Sequence, residues 1–300
     1  MNKYILRQSM FLFTAAAIWG VAFVAQSVGM DYVDPYTFIA ARNVIALVVL
    51  LPFVAVMDQS RRKRDAQERQ KKDYKLLLTG GICCGICLFA ASALQQFGMK
   101  YTTVGKAGFI TAMYLVLVPV FGIFLKKRTG VKVWIAVIIA LAGLYLLCIT
   151  KGEFRLQKGD VYMLGCAAVF ALHILVVDHF SPLVDGVKLS CVQFATNAVL
   201  GTVMMFLLEK PDISNLTAAW LPIVYAGALS SGVGYTFQII GQKGMNPTAA
   251  SLILSLESVI SVLAGWIILH QTLTMREMAG CALAFASIIL VQLPGKESVK

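Results

Sequence analysis

Few ionisable side chains lie inside the long apolar stretches of this chain, and those few are the residues best placed to do chemistry. Glu257, Arg42, Lys106 and His173 each sit within a run that is otherwise almost wholly apolar. A charged group at the centre of a membrane helix costs ~2.5 to 3.5 kcal/mol on insertion scales, so such a residue marks a binding or coupling site or a buried pairing. Glu257 falls ten residues beyond Pro247, ~15 Å at the helical rise of 1.5 Å per residue, close to the midplane of a bilayer. It is a candidate for proton coupling, or else a structural partner of nearby serines and backbone groups. His173 is a second proton-coupling candidate, against the plainer reading of a packed histidine. Arg42 and Lys106 are candidates to hold an anionic group, the alternative for each being a head that snorkels to the interface.

Polar amides and aromatics complete the candidate cavity: Gln95, Gln96, Gln238, Asn43, Trp19, Phe23 and Tyr114; Gln95 and Gln238, like Gln193 and Asn197, serve either a cavity or interhelical hydrogen bonds. Pro119 removes one backbone hydrogen bond from the middle of an apolar run, which makes it a hinge candidate.

The elements that carry these residues are membrane spans. Of the 300 residues 59% are hydrophobic and 14% charged, and the mean hydropathy is +0.78, far from the ~25% charged content of a soluble domain. A helix needs about 20 apolar residues to cross the hydrocarbon. Such stretches run over about 8–28, 35–57, 74–97, 103–125 and 133–149, then 159–180, 188–208, 218–242, 247–269 and 274–293. The first is expected to be a retained helix rather than a signal peptide, its apolar run being longer than a signal core.

The halves repeat. Gln95, Gly98, Lys100 and Ala107 recur as Gln238, Gly241, Lys243 and Ala250, an offset of 143, and Ala16 and Ala17 correspond to Ala167 and Ala168. The expected fold is therefore an all-α integral membrane protein of ten transmembrane helices, built as two five-helix repeats over 1–150 and 151–300. An odd number of spans per copy turns the second copy over in the bilayer, a building plan of secondary transporters with the substrate site where the copies meet.

The net charge of +11 is explained by topology rather than by nucleic acid. With the N-terminus in the cytoplasm, that side holds 18 of the 26 Lys and Arg, including the run Arg61 to Lys75. This is the positive-inside bias, and it places both termini in the cytoplasm. The basic loop is also expected to attract anionic lipid. Cys83, Cys84 and Cys87 lie among Gly80, Gly81 and Gly85 within the third stretch, where close helix packing accounts for the run better than a metal or redox site. Asn246-Pro247-Thr248 reads as a helix cap with proline at the first helical position.

Several stretches together resemble the EamA family of the drug/metabolite transporter superfamily. They are Ile18-Trp19-Gly20 with Phe23, Arg42, the run Gly105 to Ala112 with Val118-Pro119, then Tyr225 to Leu229, Gln242 through Glu257 to Ile260, and Leu273 to Gly280. The resemblance covers nearly the whole chain. It implies a bacterial inner-membrane carrier that moves small metabolites, often amino acids or related compounds, outward by alternating access. It implies also a cavity lined by spans one to four and six to nine, with the fifth and tenth at the periphery. Ser258 stands where the family commonly has proline, and His270-Gln271 where an acidic residue often follows the ninth span.

No Gly-x-x-x-x-Gly-Lys-Ser/Thr phosphate loop is present, so active transport would draw on an ion or solute gradient, and no cofactor or metal is expected. The expected partners are a small-molecule substrate and the lipid bilayer, with a homo-oligomer left open. The alternatives are a membrane-embedded enzyme acting on a lipid, for which Asp178 and His179 are the only close acid–histidine pair, and a non-transporting assembly protein.

Overall fold

In lipid every backbone N–H and C=O must be satisfied within its own segment, which leaves the helix as the form for an isolated apolar stretch. The computed structural model follows this rule over the residues it describes, 3–62, 70–102, 104–125, 130–148, 158–268 and 274–292. No strand occurs among them. Among the described residues eight helical stretches are long and apolar enough to cross a bilayer: Lys3–Gly29, Pro35–Ala55, Tyr74–Met99, Ala107–Phe124, Lys158–Phe180, Gly186–Leu208, Trp220–Gln242 and Pro247–Ala264. Two further helices carry the shorter apolar segments Val131–Gly143 and Met278–Ser287. Much of the basic run Arg61 to Lys75 lies outside the described residues, as do His270 and Gln271.

The first spans are α1 (Lys3–Gly29), α2 (Pro35–Arg62) and α3 (Gln70–Met99), and the sixth and seventh are α7 (Lys158–Phe180) and α8 (Gly186–Leu208). The fourth and ninth are each broken in two. The fourth is α4 (Val104–Thr111) followed by α5 (Tyr114–Phe124), and the ninth is α12 (Pro247–Leu254) followed by α13 (Leu256–Ile268). The first piece of each begins and ends at the same repeat positions, since 104 and 111 plus 143 are 247 and 254. At both breaks the backbone tightens to three-residue hydrogen bonds, Leu115 N to the Ala112 carbonyl at 3.0 Å and Ser258 N to the Ser255 carbonyl at 3.2 Å. α5 runs continuously through Pro119, so the discontinuity of the fourth span lies at Ala112–Met113, before the proline. After the short α9 (Ile213–Ala218), the eighth span, α10 (Trp220–Val224), a π-helix over Tyr225–Tyr235 and α11 (Thr236–Gln242), is widened in its middle.

α12 starts as its sequence dictates. The Asn246 side chain accepts from Thr248 N at 2.9 Å, Pro247 takes the first helical position, and Gly244 turns the preceding loop at φ +70°. α6 (Val131–Cys148) packs on α14 (Met275–Gln292), where a Cβ on Gly143 would stand 2.8 Å from the Gly280 carbonyl.

Glycines of the third span give close backbone approach. A Cβ on Gly85 would meet Thr196 Cβ at 2.5 Å and the Gln193 carbonyl at 2.8 Å, across the contact with α8. Overpacking of this kind costs ~1 to 3 kcal/mol. Gly85→Ala is therefore expected to lower the thermal midpoint of the purified protein. Gly165→Ala is the control, because its Cβ would meet nothing nearer than Leu94 at 3.4 Å.

One end of α2 is tied to the opposite half of the chain. The Glu209 carboxylate, at the end of α8, accepts from Tyr36 N at 2.9 Å, Thr37 N at 2.7 Å and the Thr37 hydroxyl at 2.8 Å, so it caps the α2 N-terminus where the helix dipole favours an anion. Lys100 and Asp34 pair at 2.7 Å at the same end. Glu209→Ala is expected to destabilise by ~0.5 to 2 kcal/mol, as loss of a helix cap does, with a matching fall in the thermal midpoint.

Candidate functional site

The broken spans bring their polar residues to one place. Tyr114 opens α5 and Glu257 stands in the first turn of α13, positions 143 apart, and the Tyr114 hydroxyl donates to Glu257 Oε1 at 2.9 Å. Repeat-equivalent residues thus meet face to face, inside the protein. Both are buried, Tyr114 at 3% and Glu257 at 5% exposure.

The pair borders a cavity of about 30 Å³. α1 contributes Trp19, Phe23 and Gln26, α2 contributes Arg42, and α3 contributes Gln95. Thr111 and Leu254, the last residues before the two breaks, stand opposite Phe170 and Ile174 of α7, Ser230 and Tyr235 of the π-helix, and Gln238 of α11. Among the described residues none of the lining comes from α6 or α14. One water needs ~10 to 15 Å³ of such space, so the cavity has room for about two or three waters and a metabolite enters only if the helices part.

Arg42 is held by neutral groups. Its Nη1 donates to Gln26 Oε1 at 3.2 Å and its Nη2 to the Ser92 hydroxyl at 2.8 Å, while Nε, buried, has no hydrogen-bond partner. The Gln96 amide donates to the same Gln26 oxygen at 2.8 Å. A buried charge is normally paired, yet among the described residues no carboxylate lies within 4 Å of this guanidinium. The cavity therefore keeps a positive group at one wall and a carboxyl at another.

The aromatic wall is fixed by the wide turns of the π-helix, a distortion that recurs at functional sites. Trp19 Nε1 donates to the Ser230 carbonyl at 3.1 Å, and the Trp19 and Tyr235 rings lie 4.5 Å apart. Gly234 makes room for the indole, since a Cβ there would stand 2.6 Å from Nε1.

Of the residues singled out in the sequence, Trp19, Phe23, Arg42, Gln95, Tyr114, Gln238 and Glu257 are brought together around this cavity. His173 is not in the lining. It sits behind Tyr235, with ring centroids 6.0 Å apart, and its Nε2 pairs with Gln193 Oε1 at 3.1 Å. α8 backs the site in this way and through Phe194 against Tyr235 rather than lining it. Pro119 is buried within α5 and does not border the cavity. The side chain of Lys106 lies outside the described residues. Sequence reasoning missed Gln26, Thr111, Phe170, Ile174, Ser230, Tyr235 and Leu254. Phe170 and Ile174 were within reach, because they stand 151 after Trp19 and Phe23, the offset that relates Ala167 to Ala16.

A polar cavity between broken helices, inside a bundle of apolar spans, is the build of a membrane carrier. The model of the EamA-like transporter family matches the chain twice, over residues 7–149 and 157–293. An uncharacterized transporter of Archaeoglobus fulgidus is 29% identical over 280 residues, covering 93% of this chain and 83% of that protein. The uncharacterized transporter YoaV of Bacillus subtilis is 24% identical over 288 residues, covering 93% and 94%. A crystal structure of a protein 18% identical superposes with a TM-score of 0.75 over 95% of this chain and 96% of that one, which shows a shared fold. The chain belongs to the EamA-like transporter family, within the drug/metabolite transporter superfamily, and is a multi-pass membrane transporter of small molecules.

Proposed function

We propose that the protein is a secondary transporter that exports small metabolites, amino acids or related compounds, from the bacterial cytoplasm by alternating access, driven by a proton gradient. The observation that carries this reading is the meeting of the two broken spans at Tyr114 and Glu257, in a cavity that also holds Arg42. Discontinuous helices at a repeat interface form midplane sites in transporters, and rocking of one repeat against the other exposes such a site to each side in turn.

In this reading the α6 and α14 helices are the fifth and tenth spans, the second half lies inverted relative to the first, and both termini face the cytoplasm of a bacterial inner membrane. The basic loop then rests against anionic lipid. Arg42, with Lys106 nearer the outer end, takes the anionic group of the solute. Gln95 and Gln238 offer hydrogen bonds, and Trp19, Phe23 and Tyr114 shape the apolar part of the pocket. Glu257 carries the proton and His173 relays it. The fourth span pivots at its break, with Pro119 a second point of flexure in the half-span that follows.

The test is to compare metabolites inside and outside cells that express the protein with those of cells that do not. The expected result is a small solute bearing an anionic group that moves outward only in expressing cells. With the protein shown to be in the membrane, an unchanged distribution of every solute would count against export.

A further inference from the structure

We infer that Gln26 is the residue that sets the charge requirement of the cavity: by holding Arg42 with a neutral oxygen, it leaves the guanidinium's positive charge for the anionic group of the solute. The inference rests on the reading of this cavity as the transport site. An ionisable residue inside a span pairs with another ionisable residue or with backbone carbonyls. Here the partner at 3.2 Å is an amide, and its orientation is fixed by chemistry, because a guanidinium only donates and the Gln26 atom facing it must be the oxygen. The same oxygen accepts from Gln96 at 2.8 Å, so α1, α2 and α3 converge on one acceptor that is 5% exposed. Ser92, the other partner of Arg42, is also uncharged.

Among the described residues the second half of the chain has no such arrangement. At the offset of 151 Gln26 corresponds to Val177 and Arg42 to Gln193, which pairs instead with His173. The anion site thus belongs to the first half alone. A carboxylate in place of the Gln26 amide would reach the guanidinium at the same distance, as a salt bridge, and satisfy from within the protein the charge that otherwise selects the solute.

Thermal shifts of the full-length purified protein test this, with the standard L-amino acids and small mono- and dicarboxylates as probes, each beside its amide. Wild type is expected to bind a carboxylate at least about tenfold more tightly than the matching amide. Gln26→Glu is expected to lose that preference, to within about twofold, while Gln26→Met, neutral and similar in size, keeps it with weaker binding of both members of the pair. Retention of the preference by Gln26→Glu, or its equal loss in both variants, would overturn the assignment and leave Gln26 a packing residue. If Gln26→Glu does not fold, Ser92→Asp places a carboxylate against the other arm of the same guanidinium; loss of the preference there supports the inference and its retention overturns it. Failure of wild type to bind any probe, in contrast, would remove the transport-site reading itself.

Discussion

Replacing Arg42 by alanine reduces transport of the solute by about a hundredfold at low concentration, through affinity rather than through folding. Truncating one member of a buried, hydrogen-bonded charge pair costs 2 to 5 kcal/mol, and about 2.7 kcal/mol is a factor of a hundred. The fold survives because no carboxylate of the protein is stranded. Gln26 keeps its bond from Gln96, and Ser92 loses only a donor. Arg42→Lys does not restore the activity, since a single ammonium cannot reproduce the forked contact with Gln26 and Ser92. The check is initial rate against solute concentration in proteoliposomes. A raised KM with a similar maximal rate is the expected result, and an unchanged KM would remove Arg42 from the site.

The second large effect belongs to Glu257. Glutamine at this position can still accept from Tyr114, so the junction of the broken spans persists, but it can neither gain nor lose a proton. One charge moved through 100 mV supplies ~2.3 kcal/mol, a limiting gradient of about fiftyfold per proton. Wild type is expected to build such a gradient when the outside is acidified, and Glu257→Gln to equilibrate the solute and stop. Exchange of labelled for unlabelled solute should continue in the variant. Accumulation by Glu257→Gln that matched wild type and kept its response to external pH would place coupling elsewhere, with His173 the next group to replace.

The fold was largely legible because hydropathy reports directly on spans. Asn246 and Pro247 announced the start of α12, and Gly81 and Gly85 announced close packing of the third span. The intramembrane polar residues were legible for the same reason, since each stands out against an apolar background; Arg42, Gln95, Gln238, Glu257 and Tyr114 border one cavity, whereas His173, Gln96, Asn43, Gln193 and Asn197 do not. Less legible were the helix breaks. Pro119 drew attention because proline lacks an N–H, yet the fourth span parts at Ala112–Met113, where nothing in the residue types forbids a helix. The ninth span parts at Ser255 in the same register, so the break belongs to the repeat and not to any one side chain. Ser258, where the family commonly has proline, donates instead to the Gly108 carbonyl at 2.8 Å and joins the two broken spans directly. The π-helix was invisible, because widened turns leave the apolar pattern intact, and with it went Ser230 and Tyr235. Gln26 was passed over for a different reason: its importance lies in what it does to Arg42, a contact between spans that only the packed structure shows.

Whether one cavity faces both sides of the membrane in turn can be measured without knowing the solute. Thr111 lines the cavity just before the break of the fourth span and is 1% exposed. In a background where the seven native cysteines are replaced by serine, Thr111→Cys would be treated with a membrane-impermeant maleimide, separately in right-side-out and inside-out vesicles. Alternating access predicts labelling from both sides. Labelling from one side alone, or from neither, would contradict the account.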